Sequence, residues 1–160
     1  MYKRQGLELG QLQGAVAYPT GRLAPQIDTL VNVGILPEPP ATDAWPALDD
    51  EAASLDARAR TYLHVNCSSC HRPEGTGRGP WDFRRQASSA ALGLCGQPES
   101  GTLGLSDAQI IAPGDPGNSV LLARMNDRGA LAMPPIASDV VDPEGVAVLS
   151  EWITSLSGCP

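Results

Sequence analysis

The sequence predicts a small all-α domain, rich in loops, that follows an N-terminal extension. Two stretches carry helix signals. In the first, apolar and small residues recur at helical spacing from Ser54 to Asn66. In the second, Asp142-Pro143-Glu144 supplies a capping side chain, a proline at the first helical position and an early acid. The 17 glycines and 15 prolines make up a fifth of the 160 residues, so we expect short helices joined by long loops.

The remaining elements follow in chain order. Residues 1–5 read like the translation of a sequencing-library adapter, so we expect that they are not natural protein and that the true N-terminus is missing. Residues 6–48 contain one short helix predicted over 24–33 and then a proline-rich linker, and we interpret them as an extension or the tail of an upstream unit. The principal domain is predicted at 49–160, with a further short amphipathic helix over 119–125.

Charge and hydropathy argue against two kinds of binding partner. The formal net charge of −7 disfavours nucleic acid, whose phosphates require a basic face. No apolar run approaches the length of a membrane-spanning helix, so we predict no membrane span in this chain. No signal peptide opens the sequence, as expected if the natural start is missing.

The motif with the clearest chemical meaning is Cys67-Ser68-Ser69-Cys70-His71, at the end of the first predicted helix. Two cysteines three residues apart project from nearly the same face of a helix, and the histidine follows at once. This spacing lets both thiols add to the two vinyl groups of one haem while the imidazole reaches the iron. With this composition, the motif is expected by chance in about one chain in a thousand.

The motif resembles the haem-attachment motif of c-type cytochromes, and the resemblance spans about residues 54–156. It implies a class I cytochrome c-like helical domain around one covalent haem c per chain, with the first and last helices packed across each other. A buried porphyrin would also explain why only 4% of the residues are aromatic. Because haem attachment of this kind takes place outside the cytoplasm, the resemblance implies a periplasmic or otherwise exported protein.

The candidates for the second axial ligand are few. His64 lies two turns before His71 on the same predicted helix, so its ring cannot reach the opposite face of the iron, and we assign it a surface or helix-packing role. Met133 stands in a loop before two prolines, in a Met-Pro setting similar to that of the ligand methionine in class I cytochromes. Met125, on a predicted helix, is the alternative ligand, and an open site is the third option.

Two further assignments concern the surroundings of the haem. Gly79-Pro80 is similar in kind to the Gly-Pro pair with which class I cytochromes often place a carbonyl on the proximal imidazole, so we assign Pro80 to the cofactor site. The cluster of positive charge between residues 61 and 100 is either a solvated surface or a source of partners for the haem propionates, because Arg suits planar carboxylates. Its members are Arg72, Arg78, Arg84 and Arg85, of which we assign Arg84 to the site.

Cys95 and Cys159 remain after the haem takes its pair of cysteines. In an exported protein they are expected to form a disulfide, with two free buried thiols as the alternative. A structural zinc site made of all four cysteines is a weaker hypothesis, because these two are not paired at zinc-knuckle spacing. A thioredoxin-like dithiol would need a βαβ context that the sequence lacks.

The function that follows is electron transfer by a single haem with His/Met axial ligation. With both axial positions filled, the iron has no place for a substrate, so we assign no catalytic residue and do not expect an enzyme in this unit alone. The Pro-Gly-Asp-Pro turn, the Arg-Met pair and Met-Pro-Pro also resemble haem domains at the C-termini of larger exported bacterial proteins, some fused to dehydrogenases. The expected partner is therefore a redox protein or an upstream dehydrogenase domain. The alternative is a haem domain with an open or labile sixth site, peroxidase-like or gas-binding.

Overall fold

The computed structural model describes residues 8–136 and 139–160. The expectation about residues 1–5 lies outside these ranges. The elements in chain order are α1 (Leu9–Leu12), β1 (Ala15–Ala17), β2 (Leu23–Pro25), α2 (Gln26–Asn32), α3 (Leu55–Cys67), a 3-10 turn (Pro116–Asn118), α4 (Val120–Asn126) and α5 (Pro143–Ser155). Within the described ranges, no helix is both long enough and apolar enough to cross a bilayer.

The prediction of an all-α domain was wrong. Helices cover only 31% of the described residues, and β1 pairs with β2 in an antiparallel hairpin, with Val16 opposite Ala24. The hairpin closes through a turn in which the Gly21 N–H donates to the Tyr18 carbonyl at 2.9 Å. The helix expected over 24–33 begins only at Gln26, because a proline at position 25 favours an extended residue before it and leaves Ala24 in the strand.

The expected class I cytochrome c-like helical domain was wrong for the same reason. In the part of the chain that the structure describes, only α3 and α5 are longer than seven residues. Loops, many of them turning at glycines with positive φ, make up most of the remainder. The chain is therefore a loop-rich α+β molecule in which two longer helices provide the frame.

Helix α3 begins where its sequence predicts. Ser54 is its N-cap, and the Ser54 Oγ accepts a hydrogen bond from the Ala57 N–H at 3.2 Å. Asp56 in the first turn favours the helix dipole and accepts a hydrogen bond from Trp152 Nε1 of α5 at 3.0 Å. The Asp56 carboxylate therefore stabilises the first turn of α3 and also ties this helix to α5.

Helix α5 begins with the predicted cap and packs against α3. Asp142 accepts a hydrogen bond from the Gly145 N–H at 3.0 Å through one oxygen and from the Tyr62 hydroxyl at 3.0 Å through the other. A Cβ at Gly145 would lie 2.4 Å from the Tyr62 ring, so the close approach of the two helices requires glycine. The predicted pairing of the first and last long helices is confirmed.

The core lies between α3, α5 and the loops that connect them. Its largest fully buried members are Leu63, Leu92, Ile111, Leu149, Trp152 and Ile153. Within the long connection over 68–115, Leu94 and Ile111 pair in an isolated parallel bridge. Cys95 and Cys159 form a disulfide, so that prediction is confirmed and the alternative of two free thiols is wrong. The disulfide is compatible with an exported protein.

The extension packs on the outer face of α3 around His64. The Arg85 N–H donates to His64 Nδ1 at 3.1 Å, and His64 Nε2 lies 3.5 Å from a carboxylate oxygen of Glu8. The Trp45 ring contacts His64 edge-on at 4.7 Å, and a Cβ at Gly10 would overlap the Trp45 ring. His64 is therefore a packing residue, as predicted, and it joins the extension to the principal domain.

Candidate cofactor-binding site

A cavity of about 550 Å³ opens at the C-terminal end of α3. Its volume is in the range of cofactor and small-molecule sites. The walls come from the end of α3, the loop over 76–83, residues 98–100, α4 and residues 130–135. The predicted site residues that line it are Cys67, Cys70, His71, Met125 and Met133. The structure therefore brings the motif and both candidate methionines to one cavity.

The motif keeps a helical path just beyond α3. The N–H groups of Cys70 and His71 both donate to the Cys67 carbonyl, at 3.1 and 2.9 Å. Because the chain continues to turn, the two cysteines and the histidine face the same space. Cys67 and Cys70 are free thiols, in contrast to the bonded pair Cys95 and Cys159. We call residues 67–71 the motif segment.

The thiol chemistry separates the rival hypotheses for these cysteines. Burial, with a smaller effect of Cys70, raises the pKa of the Cys67 thiol to about 12, whereas a reactive dithiol needs a lowered pKa. The disulfide removes two of the four sulfurs that a Cys₄ zinc site would need. In the described ranges, no group of three or more His, Cys, Asp or Glu side chains is placed to hold a metal ion.

The surroundings of His71 favour its neutral form and enclose one of its nitrogens. Burial, and to a lesser degree the charge of Arg124, lower the pKa of His71, which favours the form that coordinates metals. The Phe83 ring meets the imidazole edge-on at 5.3 Å, and the Phe83 N–H donates to the His71 carbonyl at 3.0 Å. Nδ1 is buried and has no hydrogen-bond partner among the described residues, so Nε2 is the nitrogen that the cavity can reach.

A glycine allows the loop after the motif to lie on the His71 ring. A Cβ at Gly77 would be 2.6 Å from His71 Nδ1, so the backbone there passes directly over the imidazole. The carbonyl predicted from Gly79-Pro80 does not accept a hydrogen bond from Nδ1, and Pro80 is not part of the cavity lining. Gly79, at φ 81°, instead turns the chain so that the Trp81 ring packs against it.

The two methionines occupy different kinds of structure. Met125 lies in α4, is 7% exposed and belongs to the core cluster. Met133 lies in an irregular loop, and its N–H donates to the Arg124 carbonyl at 3.0 Å. Met133 therefore reaches the cavity through the loop that returns to α4, while Met125 reaches it directly from the helix.

The arginine that sequence analysis assigned to the site lies elsewhere. Arg84 donates to both oxygens of Asp82, with Nη2 2.6 Å from Oδ2, and does not line the cavity. Arg78 and Arg124 do line it. Sequence analysis noted Arg124 only as half of an Arg-Met pair and gave it no role. The signal that could have identified Arg124 as a cavity residue was its position beside Met125 on a helix with a buried face.

Comparison of the chain with protein-family models, with curated proteins and with solved structures finds no match.

Proposed function

We propose that the chain binds one covalent haem c in this cavity and functions in electron transfer. The observation that carries the proposal is the convergence of Cys67, Cys70 and His71 with Met133 on one cavity. These residues come from two parts of the chain that share no local sequence pattern. A structural role for the Cys-x-x-Cys-His motif would not require a methionine loop and an arginine at the same space.

The residues present fit this group. Cys67 and Cys70 would hold the porphyrin through thioether bonds, because both are free. His71 offers the accessible nitrogen of a neutral imidazole as one axial ligand. Met133 would supply the second ligand to the iron, with Met125 as the alternative. The haem supplies a one-electron couple between ferrous and ferric iron.

The rest of the lining provides apolar surface and charge. Phe83, Ile110 and Leu121 contribute apolar surface to the cavity, and a dry environment with a thioether ligand favours a higher reduction potential. Arg78 and Arg124 are the cations placed to meet the carboxylates of the group, so they take the role that sequence analysis gave to Arg84.

The proposed setting follows from the same features. Covalent haem attachment and the Cys95–Cys159 disulfide both suit a periplasmic location. With His71 and Met133 as axial ligands no position remains for a substrate, so the unit passes electrons to or from a redox protein or a dehydrogenase domain.

The first test is covalent attachment. The full chain is expressed with haem-maturation machinery, and haem is stained on a denaturing gel. The wild type is expected to stain and the Cys67→Ala/Cys70→Ala variant is not. Ser69→Ala, in the same segment and exposed, is the matched control and should stain like wild type. A wild-type chain that loses all haem under denaturing conditions would refute the proposal.

The second test identifies the axial sulfur. Ferric wild-type protein is expected to show the far-red sulfur-to-iron charge-transfer band, and Met133→Ala should lose it while Met125→Leu keeps it. A ferric protein without the band that readily binds cyanide, and whose ferrous form binds CO, would instead support the haem domain with an open sixth site.

A further inference from the structure

Met133 lies at the end of a loop that leaves α4 and returns to it. We call residues 127–133 the Met loop. The Leu131 N–H donates to Asp127 Oδ2 at 2.9 Å, and the Met133 N–H donates to the Arg124 carbonyl at 3.0 Å. The middle of the loop is therefore bonded to its own first residue, the C-cap of α4, and its end is bonded to α4 itself.

Arg124 binds the loop a second time through its side chain. Its Nη1 donates to the Leu131 carbonyl at 3.2 Å, while its own carbonyl accepts the Met133 N–H. Leu131 thus has its carbonyl held by Arg124 and its N–H held by Asp127. The side chains of Arg124, in α4, and of Asp127, the C-cap of α4, therefore restrain both backbone polar groups of Leu131.

The helix end that carries these contacts is itself fixed by packing. Leu121, Leu122 and Met125 are less than 9% exposed and belong to the core. Because the Met133 N–H is hydrogen-bonded to this helix, the backbone of Met133 is fixed relative to the core, and this limits where its side chain can lie. A loop residue without such bonds would sample many backbone conformations.

We propose that Arg124 and Asp127 are positioning residues that hold Met133 at the cavity and thereby keep the sixth coordination position closed. This inference rests on the proposed haem function. It also states what distinguishes an electron carrier from an open haem site in this fold. We call the hydrogen bonds of Leu131 with Arg124 and Asp127 the clamp. When the clamp is intact, the Met133 sulfur competes well with external ligands for the iron, and when the clamp is broken it competes poorly.

Asp127 is the better residue for a test. It does not line the cavity, so its substitution changes the Met loop without removing a group that could touch the cofactor. Asp127→Ala removes the acceptor for the Leu131 N–H, and Asp127→Asn keeps an oxygen at that place. Asp50→Ala is the matched control, because Asp50 also accepts one backbone N–H, from Ala52 at 3.1 Å, in a turn that does not line the cavity.

The experiment titrates haem-loaded ferric full-length protein with imidazole and records the far-red band. Asp127→Ala should weaken the band and raise the imidazole affinity by about tenfold, the factor expected for one lost hydrogen bond to a charged group. Asp50→Ala should bind imidazole like wild type, and Asp127→Asn, which keeps a neutral acceptor, should lie between wild type and Asp127→Ala. Amide exchange at Leu131 and Met133, measured on the same samples, should accelerate most in Asp127→Ala.

A second variant covers failure of the first to fold. Arg124→Lys keeps the positive charge at the cavity but removes the planar fork that reaches the Leu131 carbonyl, and it should also raise the imidazole affinity. Equal imidazole affinities in Asp127→Ala and Asp50→Ala, with native circular dichroism, would overturn the clamp while leaving the haem function intact. A band that survives Met133→Ala and disappears in Met125→Leu would overturn it as well. A wild-type chain without covalent haem would overturn both proposals.

Discussion

The motif segment and the Met loop contribute to one cavity, but they are held there in different ways. The motif segment continues a capped helix whose buried face includes the fully buried Leu63. The Met loop is irregular and depends on the hydrogen bonds that Leu131 accepts from Arg124 and donates to Asp127. The motif segment is thus marked in the sequence by a helix cap and a fixed spacing, whereas the position of the Met loop depends on individual hydrogen bonds that no periodicity encodes.

Removal of the disulfide is expected to have the largest effect on stability. It tests the loops that line the cavity rather than the motif segment. Cys95 precedes residues 98–100, which line the cavity, and its bond to Cys159 spans a sequence separation of 64 residues. In the chain-entropy model, closing a loop of this length stabilises the fold by about 4 kcal/mol. Cys95→Ser/Cys159→Ser should therefore lose about that much free energy of unfolding in urea.

Reduction provides the control for this prediction. Wild type unfolded in the presence of a thiol reductant should match the double variant, and adding reductant to the variant should change nothing. A difference in unfolding free energy below about 1 kcal/mol would mean that the loops near residue 95 are held by packing alone.

A methyl group added above the imidazole should have the next largest effect, this time on the motif segment. At Gly77 a Cβ would lie 2.6 Å from His71 Nδ1, so Gly77→Ala must displace either the loop or the ring. Overpacking of this kind costs about 1–3 kcal/mol. The measurements are the free energy of unfolding and the ¹⁵N chemical shifts of the His71 ring.

Gly14→Ala is the matched control for the added methyl group. The nearest atom to a Cβ at Gly14 is the Gln11 carbonyl oxygen at 3.5 Å, an ordinary contact, so the unfolding free energy should change little. If Gly77→Ala leaves both stability and the His71 ring shifts unchanged, the loop after the motif is not packed on the imidazole as described.

Sequence reasoning was accurate where the physical cause is local. Ser54 and Asp142 are caps whose side chains bond within three residues, so the starts of α3 and α5 could be predicted. Cys67, Cys70 and His71 could be singled out without any structure, because their spacing is the one that covalent haem attachment would require. The disulfide was predicted because only two cysteines remained once the motif was set aside.

The same reasoning failed where neither periodicity nor charge marks the contact that forms. The hairpin was missed because β1 and β2 have three residues each, too few for a period to show. Arg84 was assigned to the site by charge alone, but its partner is Asp82, and the arginines at the cavity are Arg78 and Arg124. Composition places positive charge in a region, and only packing decides which guanidinium faces which carboxylate.

Loss of the Asp82–Arg84 pair gives the smallest predicted effect on stability. It also distinguishes the two roles of Arg84, as a partner of Asp82 or as a partner of a haem propionate. Hydrogen bonds from the Arg84 side chain hold the pKa of Asp82 below its ordinary value. A carboxyl whose pKa is lower in the folded state stabilises the fold above its unfolded pKa, and this stability is lost as the pH falls through the folded pKa. Arg84→Gln should therefore move the midpoint of acid unfolding to slightly higher pH.

The comparison that decides between the two roles is the behaviour of this variant with and without cofactor. If Arg84 serves Asp82, the shift in acid midpoint should be the same in haem-loaded and haem-free protein, and the Soret spectrum should not change. Arg22→Gln, an exposed arginine far from the cavity lining, should leave the midpoint where it is. A shift confined to the haem-loaded protein would instead mean that Arg84 reaches a haem carboxylate, and that the loops around residue 84 rearrange when the cofactor binds.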